Sequence, residues 1–299
     1  MQTPSSNASA TNCHASIIAA DDERYPAMLR TLRDPPPRIF TLGNTTLLSQ
    51  TAVAIVGTRN ATAYGLRTTR NIASALARSG VVIVSGMARG IDAAAHEAAL
   101  DANGPTIAVL GTGVDVPYPA SHRALHARIA KHGLIMSELP CGARAHRGSF
   151  PRRNRLIAGL ARAVIVTEAP VKSGALITAN VANDIGRDVG IVPGNIDSPA
   201  SEGSNRLLRD GATPILSVAD ALTLGGVSTD AAAAVRPNAA ELTEDAQLLW
   251  RALSASGPLS ADALARAGGL EARRAGPALA ALEIAGWVEI DHAGVIFAK

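Results

Sequence analysis

The sequence predicts an α/β protein in which a doubly wound, mostly parallel, Rossmann-like sheet is followed by a small winged-helix-like domain. Six short apolar runs alternate with Ala-rich helical windows, an order that is typical of doubly wound sheets. A run that is apolar at nearly every position forms a strand buried on both faces, as in a parallel sheet covered by helices. Beyond the sheet, about 60 residues contain three helical windows and a hairpin.

The chain begins with a polar segment, residues 1–16, that we expect to be a flexible tail. The core domain is expected to span residues 17–222 and to open with a short helix at about residues 25–33. Asp34 and the three prolines that follow it predict a stiff, extended stretch leading toward Phe40, because proline fixes its backbone φ angle.

The strands and helices of the sheet are predicted in alternation. Each apolar run has a glycine or a polar residue at or next to its last position, where the chain can turn into the next helix. The strands are expected at residues 52–57, 81–86, 106–111, 134–138, 163–169 and 188–194. The helices between them are expected at residues 66–78, 93–102, 121–131, 154–160 and 175–186.

The C-terminal domain is expected at residues 241–299, after a linker at 223–240 that is rich in Gly, Ala and Ser. Gly276 and Pro277 interrupt the third helical window and suggest that its helix starts near Pro277. The helical windows lie at residues 243–254, 260–266 and 271–285, and the hairpin strands at 287–290 and 295–298. Three helices and a hairpin are the plan of a winged helix.

Composition and length exclude several classes of protein. The chain has 299 residues, 47% hydrophobic and 18% charged, which is not the composition of a disordered protein. Its first residues lack the features of a secretory signal, and no run approaches the roughly 18 apolar residues of a membrane span. Two cysteines, Cys13 and Cys141, form neither a metal-ligand spacing nor a disulfide framework and fit a reducing compartment. We therefore expect a cytoplasmic protein without membrane attachment.

Positive charge is concentrated in one part of the chain. Residues 240–299 contain five Lys/Arg and eight Asp/Glu, a balance of −3, whereas the whole chain carries +3. Within the remainder, residues 139–167 contain six arginines and no acidic residue. A concentrated arginine cluster indicates a polyanionic partner.

The carboxyl ends of the predicted strands are where a doubly wound sheet binds ligands. The motifs GTR at 57–59, SGMARGID at 85–92 and GTG at 111–113 lie at these ends. The candidate anion-binding residues in the first two motifs are Gly57, Thr58, Arg59, Ser85, Gly86, Arg89 and Gly90. Glycines at such turns are often only geometric, but two arginines among them favour an anion site. The spacing is not the dinucleotide fingerprint, so no nicotinamide cofactor is expected.

A second group of candidates lies in RGSFPRRNRLIAGL at residues 147–160. Arginines that neutralise phosphates, next to an aromatic ring on which a base can stack, are the two ingredients of single-strand recognition. The alternative is a solvated basic turn in which Phe150 anchors the core. The candidates here are Arg147, Phe150, Arg152, Arg153, Asn154 and Arg155, with Lys172 on a loop closing the same rim.

Other polar residues favour structural roles. His96 lies one helical turn after Asp92, so the two could share a hydrogen bond. Glu138 and Glu168 both follow strands and could act as an acid–base pair, but ion pairing with Arg155 or Arg59 is favoured. In the tail, Arg273 and Arg274 fall in the helix that winged helices often place on duplex DNA. The balance of −3 in this segment favours a protein-contact module or a weak DNA helper.

Nine motifs of the chain, taken together, resemble the DprA/Smf (DNA-processing protein A) family in order and spacing. The motifs are GTR at 57–59, SGMARGID at 85–92, TIAVLGTGVDVPYP at 106–119, SELP at 137–140, FPRRNRLIAGL at 150–160, TEA at 167–169, SGALITA at 173–179, VPGN at 192–195 and GSNRLLRDGA at 203–212. The resemblance implies a core that binds single-stranded DNA, dimerises and helps load RecA in natural transformation. It places the DNA contacts at Arg59, Arg147, Phe150 and residues 152–155.

Two rival functions remain. Related Rossmann-like folds include nucleotide-binding phosphoribohydrolases, in which Glu168 with Arg89 or Arg155 would act on a glycosidic bond. Their Pro-Gly-Gly-x-Gly-Thr phosphate loop is absent from this sequence. A transcription factor that binds duplex DNA through the tail conflicts with the acidity of that segment. The resemblance therefore favours a DNA-binding protein without enzymatic activity, cofactor or bound metal.

Overall fold

The chain forms two compact units, Met1–Thr229 and Asp230–Lys299. The computed structural model describes residues 15–146, 148–227, 242–284, 287–291 and 294–298. Most of the predicted tail at residues 1–16 and most of the predicted linker at 223–240 therefore lie outside the described residues. Ser16 already belongs to a strand, and Thr223 and Leu224 complete a helix.

The first unit carries, within its described residues, a nine-stranded mixed sheet. The strands are β1 (Ser16–Ala19), β2 (Arg38–Gly43), β3 (Ala52–Val56), β4 (Val82–Ser85), β5 (Thr106–Leu110), β6 (Leu134–Ser137), β7 (Ala163–Val166), β8 (Asp188–Ile191) and β9 (Thr213–Pro214). Their order across the sheet is β1-β2-β6-β5-β4-β3-β7-β8-β9. Neighbouring strands from β6 to β9 are parallel, whereas β2 pairs antiparallel with both β1 and β6.

Helices follow the parallel strands. Those described in the first unit are α1 (Ala63–Arg78), α2 (Ile91–Asp101), α3 (Arg123–His132), α4 (Ser149–Leu160), α5 (Gly174–Asp184), α6 (Glu202–Arg209) and α7 (Val218–Leu224). Helix α1 packs against α2, and α4 packs against α5. Strands β3 to β7 are buried at every position, as their continuous apolar runs predict. The predicted fold class is confirmed.

The lead-in differs from its prediction. The expected helix at residues 25–33 is a short 3-10 helix, Ala27–Thr31, and the extended stretch continues into strand β2. The hydroxyl of Tyr25 donates a hydrogen bond of 2.8 Å to the carbonyl of Pro36, which holds the proline segment against the core. Strands β1 and β2 escaped the sequence analysis because polar or exposed residues interrupt both, so neither forms a continuous apolar run.

Two helices begin three or more residues earlier than expected, and the reason is local. The side chain of Thr62 accepts a hydrogen bond from the backbone of Gly65 and caps α1, which starts at Ala63. Helix α4 starts at Ser149, five residues before the predicted start, because Pro151 is tolerated within a first helical turn.

The second unit has winged-helix topology. Its described elements are α8 (Glu244–Ser256), β10 (Leu259–Ser260), α9 (Ala261–Ala267), α10 (Ala272–Ile284), β11 (Val288–Ile290) and β12 (Val295–Ala298). Strand β12 pairs with both β10 and β11. Helix α10 runs through Gly276 and Pro277, so the expected start near Pro277 is wrong. The burial of Ala275, Ala278 and Leu282 in one core accounts for the continuous helix despite the missing proline N–H.

The structure bears on the expected lack of membrane attachment and on the expected state of the cysteines. None of the helices in the described part of the chain has the length and apolar character needed to cross a bilayer. Cys141 is disulfide-bonded, so the expectation of reduced cysteines is wrong for this residue. A single bridge requires no characteristic spacing, which is why a rule based on disulfide frameworks missed it.

Candidate nucleic-acid interface

The larger of two neighbouring cavities lies where the winding of the sheet reverses. Strand β3 lies between β4 and β7 in the sheet. On one side of β3 the chain adds β4, β5 and β6, and on the other side it adds β7, β8 and β9. A cavity of about 420 Å³ opens beyond the carboxyl ends of β3 and β7. Its lining includes Gly57, Thr58, Arg59, Phe150, Arg153, Asn154, Lys172, Ser173 and the first residues of α5.

A second cavity adjoins the first. It measures about 210 Å³ and shares Arg59, Ala88, Phe150 and Arg153 with the larger cavity. Its other lining residues include Gly86, Arg89, Gly111, Tyr118 and Pro119. The two cavities are therefore neighbours separated by the side chains that they share, and we call them together the recess.

The loop that carries Arg59 is tied to the end of β7. The backbone N–H of Thr58 donates to the carbonyl of Glu168 at 2.7 Å. The carboxylate of Glu168 accepts hydrogen bonds from the backbone N–H and the hydroxyl of Thr62, at 2.9 and 2.7 Å. A Cβ at Gly57 would lie 2.5 Å from Ile91, so only glycine allows this close approach. The loop is thus fixed while the Arg59 side chain stays exposed.

An aromatic pair stands beside Arg59. The guanidinium carbon of Arg59 lies 5.7 Å from the ring centroid of Phe150, and the Tyr118 ring centroid lies 5.1 Å from it at an interplanar angle of 40°. Phe150 is half-buried and lines both cavities. We call Arg59, Phe150 and Tyr118 the stacking group. A half-open ring flanked by a permanent cation can stack on a flat, negatively charged ligand.

Arg153 lies in the floor of the recess, only 7% exposed. One terminal nitrogen of its guanidinium donates to the carbonyls of Gly86, at 2.7 Å, and of Val109. Its Nε donates to the side-chain oxygen of Asn154 at 3.2 Å. Burial lowers the pKa of Arg153 to about 10, which leaves it charged at neutral pH. The Arg153 side chain is therefore fixed by hydrogen bonds inside the protein, and it also borders both cavities.

Asp92 lies close to this buried cation. Its carboxylate accepts hydrogen bonds from the backbone N–H groups of Gly86 and Ala88 at 3.1 and 3.4 Å. Burial raises the pKa of Asp92, and the charge of Arg153 acts in the opposite direction. The predicted bond from Asp92 to His96 is not formed, because His96 turns to the hydroxyl of Thr106 at 2.7 Å. Desolvation lowers the pKa of His96 to about 3, so this ring is neutral, as suits a structural role.

Glu138 pairs with two arginines of the predicted cluster. Arg155 forms bonds of 2.8 and 2.7 Å to its two carboxylate oxygens, and Arg152 forms one of 2.7 Å. Arg155 also donates to the carbonyl of Asp34 at 2.5 Å. The favoured ion pairing is therefore confirmed for Glu138 and Arg155. It is wrong for Glu168, whose carboxylate is occupied by Thr62 instead of Arg59.

The structure brings most of the predicted site residues together, but not all. Gly57, Thr58, Arg59, Phe150, Arg153, Asn154 and Lys172 line the larger cavity, and Gly86 and Arg89 line the smaller one. Neither described cavity is lined by Ser85, Gly90, Arg152 or Arg155. Ser85 is fully buried and donates to the carbonyl of Ile55 at 2.6 Å. Arg147 lies outside the described residues.

Sequence reasoning missed Tyr118, whose ring completes the stacking group. A tyrosine between two prolines was the available signal, and only the folded chain brings it beside Phe150. The loop at residues 172–174, expected to close the rim, does line the larger cavity, and Ser173 caps α5 by accepting a bond from the backbone of Ala175.

The electrostatics of the recess favour an anion. Arg59, Arg89 and Lys172 are exposed around it, and Arg153 adds a buried positive charge. Asp92 is the single acidic residue among those described as lining the two cavities. Among the described residues there is also no cluster of His, Cys, Asp and Glu suited to a metal ion. The recess can therefore hold a phosphate-bearing ligand with flat rings.

In the second unit, the arginines of α10 are already paired. Arg274 forms a salt bridge with Asp245 at 2.5 Å, and Arg273 forms one with Glu271 at 2.8 Å. This pairing reduces the positive charge that α10 can offer to phosphates.

Comparison with known proteins matches both units to one family. A family model described as DNA recombination-mediator protein A matches residues 16–224, and a model of the DprA winged helix domain matches residues 232–294. The chain is 50% identical over 205 residues to Protein Smf of a Synechocystis species. This match covers 67% of the chain but 52% of the relative, so the chain spans about half the length of that protein.

Two solved structures are similar to this chain. DNA processing protein A of Streptococcus pneumoniae superposes with a TM-score of 0.68 at 41% identity, covering 70% of this chain and 74% of that one. DNA processing protein A of Helicobacter pylori, described for its single-stranded DNA binding mode, gives a TM-score of 0.66 at 33% identity. That match covers 73% of this chain and 98% of the other.

Proposed function

The chain belongs to the DNA recombination-mediator protein A (DprA/Smf) family, and on this premise we propose that it binds single-stranded DNA in the recess of its first unit. The observation that carries the proposal is the stacking group. Phe150 and Tyr118 offer aromatic faces, and Arg59 offers a charge for phosphate, in one opening at the sheet edge. Stacking on aromatic rings contributes about 1–3 kcal/mol per base and does not depend on sequence.

The proposed contacts divide by exposure. Arg59, Arg89 and Lys172 are exposed and would contact phosphates, and a base would stack on Phe150. Arg153 would contribute its charge from the floor of the recess. The loops and the helix that present these groups would be shaped by Gly57, Thr58, Ser85, Gly86, Gly90, Asn154 and Arg155. Arg152 would extend the positive surface. Arg147, outside the described residues, is proposed as a further DNA contact. The similar protein of Helicobacter pylori is described as binding single-stranded DNA, which supports this assignment.

We further propose that the protein acts as a mediator of recombination in the cytoplasm. It would protect incoming single strands and help to load RecA during natural transformation, and it would work as a homodimer. Contacts to the phosphates and the stacked bases of a DNA strand do not depend on its sequence. A protein that binds in this way can pass any single strand to a recombinase. The family membership supports the recombination role.

The rival hydrolase requires a carboxylate that can reach a substrate. Glu168 is 1% exposed, bonds to Thr62 and lines neither described cavity. Arg155, one of its proposed partners, is paired with Glu138. The observed geometry therefore favours binding over glycoside cleavage.

Fluorescence anisotropy of labelled oligo-dT tests the binding site. We expect Arg59→Ala to weaken binding and to flatten the salt dependence of log K by about 0.7, the value for one phosphate contact on a single strand. Phe150→Leu keeps the apolar volume and loses the stacking face, so affinity should fall by about 1–3 kcal/mol with an unchanged salt slope. Lys131→Ala, at the far end of α3, is the matched control.

The outcome that contradicts the proposal is equally clear. Wild-type protein that ignores oligo-dT at low salt, or variants at both sites that bind like Lys131→Ala, would remove the recess as the DNA site. Release of base from nucleoside monophosphates by the wild type, abolished in Glu168→Gln, would support the rival enzyme.

A further inference from the structure

The outer face of α1 carries a second set of cations next to the recess. Over its first eight residues the exposed side chains include Tyr64, Arg67 and Arg70. They follow the spacing i, i+3, i+6, so each is a neighbour of the next in one row along the helix surface. The whole helix, AYGLRTTRNIASALAR, contains no acidic residue.

These arginines are available for a ligand. Several other exposed arginines of this protein are paired with carboxylates, as in Arg128 with Asp101 and Arg206 with Glu202. Neither Arg67 nor Arg70 forms an ion pair or hydrogen bond with any residue that the structure describes. Unpaired arginines on a helix that lacks acidic residues keep their full attraction for phosphate.

An aromatic ring is fixed on the same face. The Tyr64 hydroxyl donates to the carbonyl of Pro193 at 2.9 Å, while 41% of the residue stays exposed. The guanidinium carbon of Arg67 lies 6.0 Å from the ring centroid. The hydrogen bond limits rotation of the ring, so less conformational entropy is lost when a base stacks on it.

The loop that leads into this face also contributes to the proposed binding recess. Arg59 belongs to the loop that leads into α1, and Glu168 fastens that loop at Thr58 and Thr62. Tyr64 and Arg70 are separated by about 9 Å along the helix axis, at 1.5 Å per residue. A strand that leaves the stacking group and follows this loop would reach a second cation–aromatic surface.

We propose that single-stranded DNA, after it leaves the recess, continues across the first two turns of α1. Arg67 and Arg70 contact its phosphates, and a base stacks on Tyr64. We call these three residues the α1 track. This inference rests on the proposed function and extends the same binding site to a longer strand.

A protein partner fits the α1 track less well. Protein interfaces place apolar and aromatic residues at their centre, with charge at the rim. Tyr64 is the one large exposed hydrophobic residue among those described on α1, so this face offers a single ring and no apolar patch for such a centre. The combination of stacking face and unpaired cations matches a flexible polyanion with bases.

The test compares two lengths of oligo-dT on the full chain. One has roughly 5 nucleotides and fills the recess only, and the other has roughly 16, at the upper end of single-strand site sizes for a binding module. We expect Arg67→Ala/Arg70→Ala to bind the short oligonucleotide like wild type. On the long one its affinity should fall roughly tenfold and its salt slope by about 1.4, the value for two phosphate contacts.

Arg78→Ala is the matched control, because Arg78 is an exposed arginine in the last turn of the same helix. It should bind both lengths like wild type. Equal losses in Arg78→Ala and in the double variant would show a general charge effect and overturn the α1 track. Tyr64→Ala should weaken the long oligonucleotide alone, with no change in salt slope.

The two proposals fail in different ways. If wild-type protein binds both lengths and the double variant matches it at every length, the α1 track is wrong and the recess stands. If wild-type protein binds neither length, the proposed function fails and the α1 track fails with it. Circular dichroism of each variant shows whether a loss of binding reflects unfolding.

Discussion

The guanidinium of Arg153 is held by the carbonyls of Gly86 and Val109, near the ends of two neighbouring strands. A buried cation loses its hydration and must recover that free energy from hydrogen bonds and from a nearby negative charge. The carbonyls supply the bonds, and Asp92 supplies the charge. Arg153 therefore adds to the positive potential of the recess without moving freely, whereas Arg59 can follow a ligand.

Gly86→Ala tests this arrangement. A Cβ at Gly86 would lie 2.5 Å from the Arg153 guanidinium, so the side chain must move from its carbonyl partners. We expect the free energy of unfolding to fall by about 1–3 kcal/mol and binding of oligo-dT to weaken. Urea titration and anisotropy measure the two effects. Gly174→Ala, whose Cβ would have its nearest neighbour at 3.9 Å, should change stability little. Equal stability of the two variants would contradict the tight packing.

His96 predicts a pH dependence of stability. Its pKa is lowered to about 3 in the folded protein, from 6.5 in the unfolded chain. Below pH 6.5 the unfolded chain takes up a proton that folded His96 refuses, so stability falls as the pH falls. Each pH unit costs about 1.4 kcal/mol, or about 2 kcal/mol between pH 6.5 and 5.

Urea unfolding at several pH values, with His96→Gln beside wild type, checks this prediction. The variant should lose less stability between pH 7 and 5, whatever its absolute stability. Buried His126 contributes in the same direction and Asp92 in the opposite one, and both are present in wild type and variant. Exposed His132 provides the control, since His132→Gln should keep the wild-type slope. Parallel curves for wild type and His96→Gln would refute the assignment.

At the residue level, the sequence indicated the composition of the site better than its geometry. Four arginines in residues 147–155 looked equivalent as a run, but successive helical residues point about 100° apart. Arg153 therefore faces the core and Arg152 faces solvent. Phe150 is half-buried and also lines both cavities. Its ring can therefore anchor the core and also offer a surface on which a base can stack.

At the level of elements, Glu138 joins three parts of the first unit. It follows β6, receives Arg155 from α4, and through Arg155 reaches the backbone of Asp34 before β2. These bonds fix the position of α4 relative to the sheet. Because Phe150 lies in the first turn of α4, this pairing also sets the position of the stacking ring.

Two arginines on the same carboxylate allow a matched comparison. The Arg155 side chain is 14% exposed, whereas that of Arg152 is 59% exposed. Removing one partner of a largely buried pair costs about 3 kcal/mol, while an exposed pair is worth less than about 1 kcal/mol. We expect Arg155→Ala to lower the free energy of unfolding clearly more than Arg152→Ala in urea titrations. Equal losses would mean that the pair near Asp34 has no structural role.

The strands were predictable from the sequence where both of their faces are buried. Strands β3 to β8 left continuous apolar runs, and all six were predicted. Strands β1 and β2 pair at an antiparallel edge, and helix α6 is polar except for a narrow apolar side, so none left such a run. The start of α1 at Ala63 depends on a side-chain cap, and the start of α4 at Ser149 depends on a proline that its first turn tolerates. The local sequence pattern does not show which of several possible starts the helix uses.

At the level of the whole molecule, charge is divided between the two units. Residues 240–299 carry a balance of −3, against +3 for the entire chain, and the arginines of α10 are neutralised by Asp245 and Glu271. Phosphate neutralisation supplies most nonspecific affinity for nucleic acid. The winged helix is therefore expected to contribute little to DNA binding and to suit contact with another protein.

Arg273→Ala/Arg274→Ala in the full chain tests this division. We expect single-strand affinity and its salt slope to stay at wild-type values, because both arginines are already paired. The same charge change in the recess, Arg59→Ala/Lys172→Ala, should flatten the slope by about 1.4. Anisotropy titrations at several salt concentrations compare the two. A slope flattened by the α10 variant would assign the winged helix to the DNA surface.

The last strand of the sheet has a consequence for behaviour at high concentration. Strand β9 consists of Thr213 and Pro214 alone and pairs with β8 on one side. An open sheet edge is a template on which other chains can add strands and aggregate, and proline and short length both block that addition. Because Pro214 has no N–H to offer, the parallel edge cannot extend into a neighbouring molecule. The protein can thus keep a long sheet and remain resistant to fibril-like growth from this side.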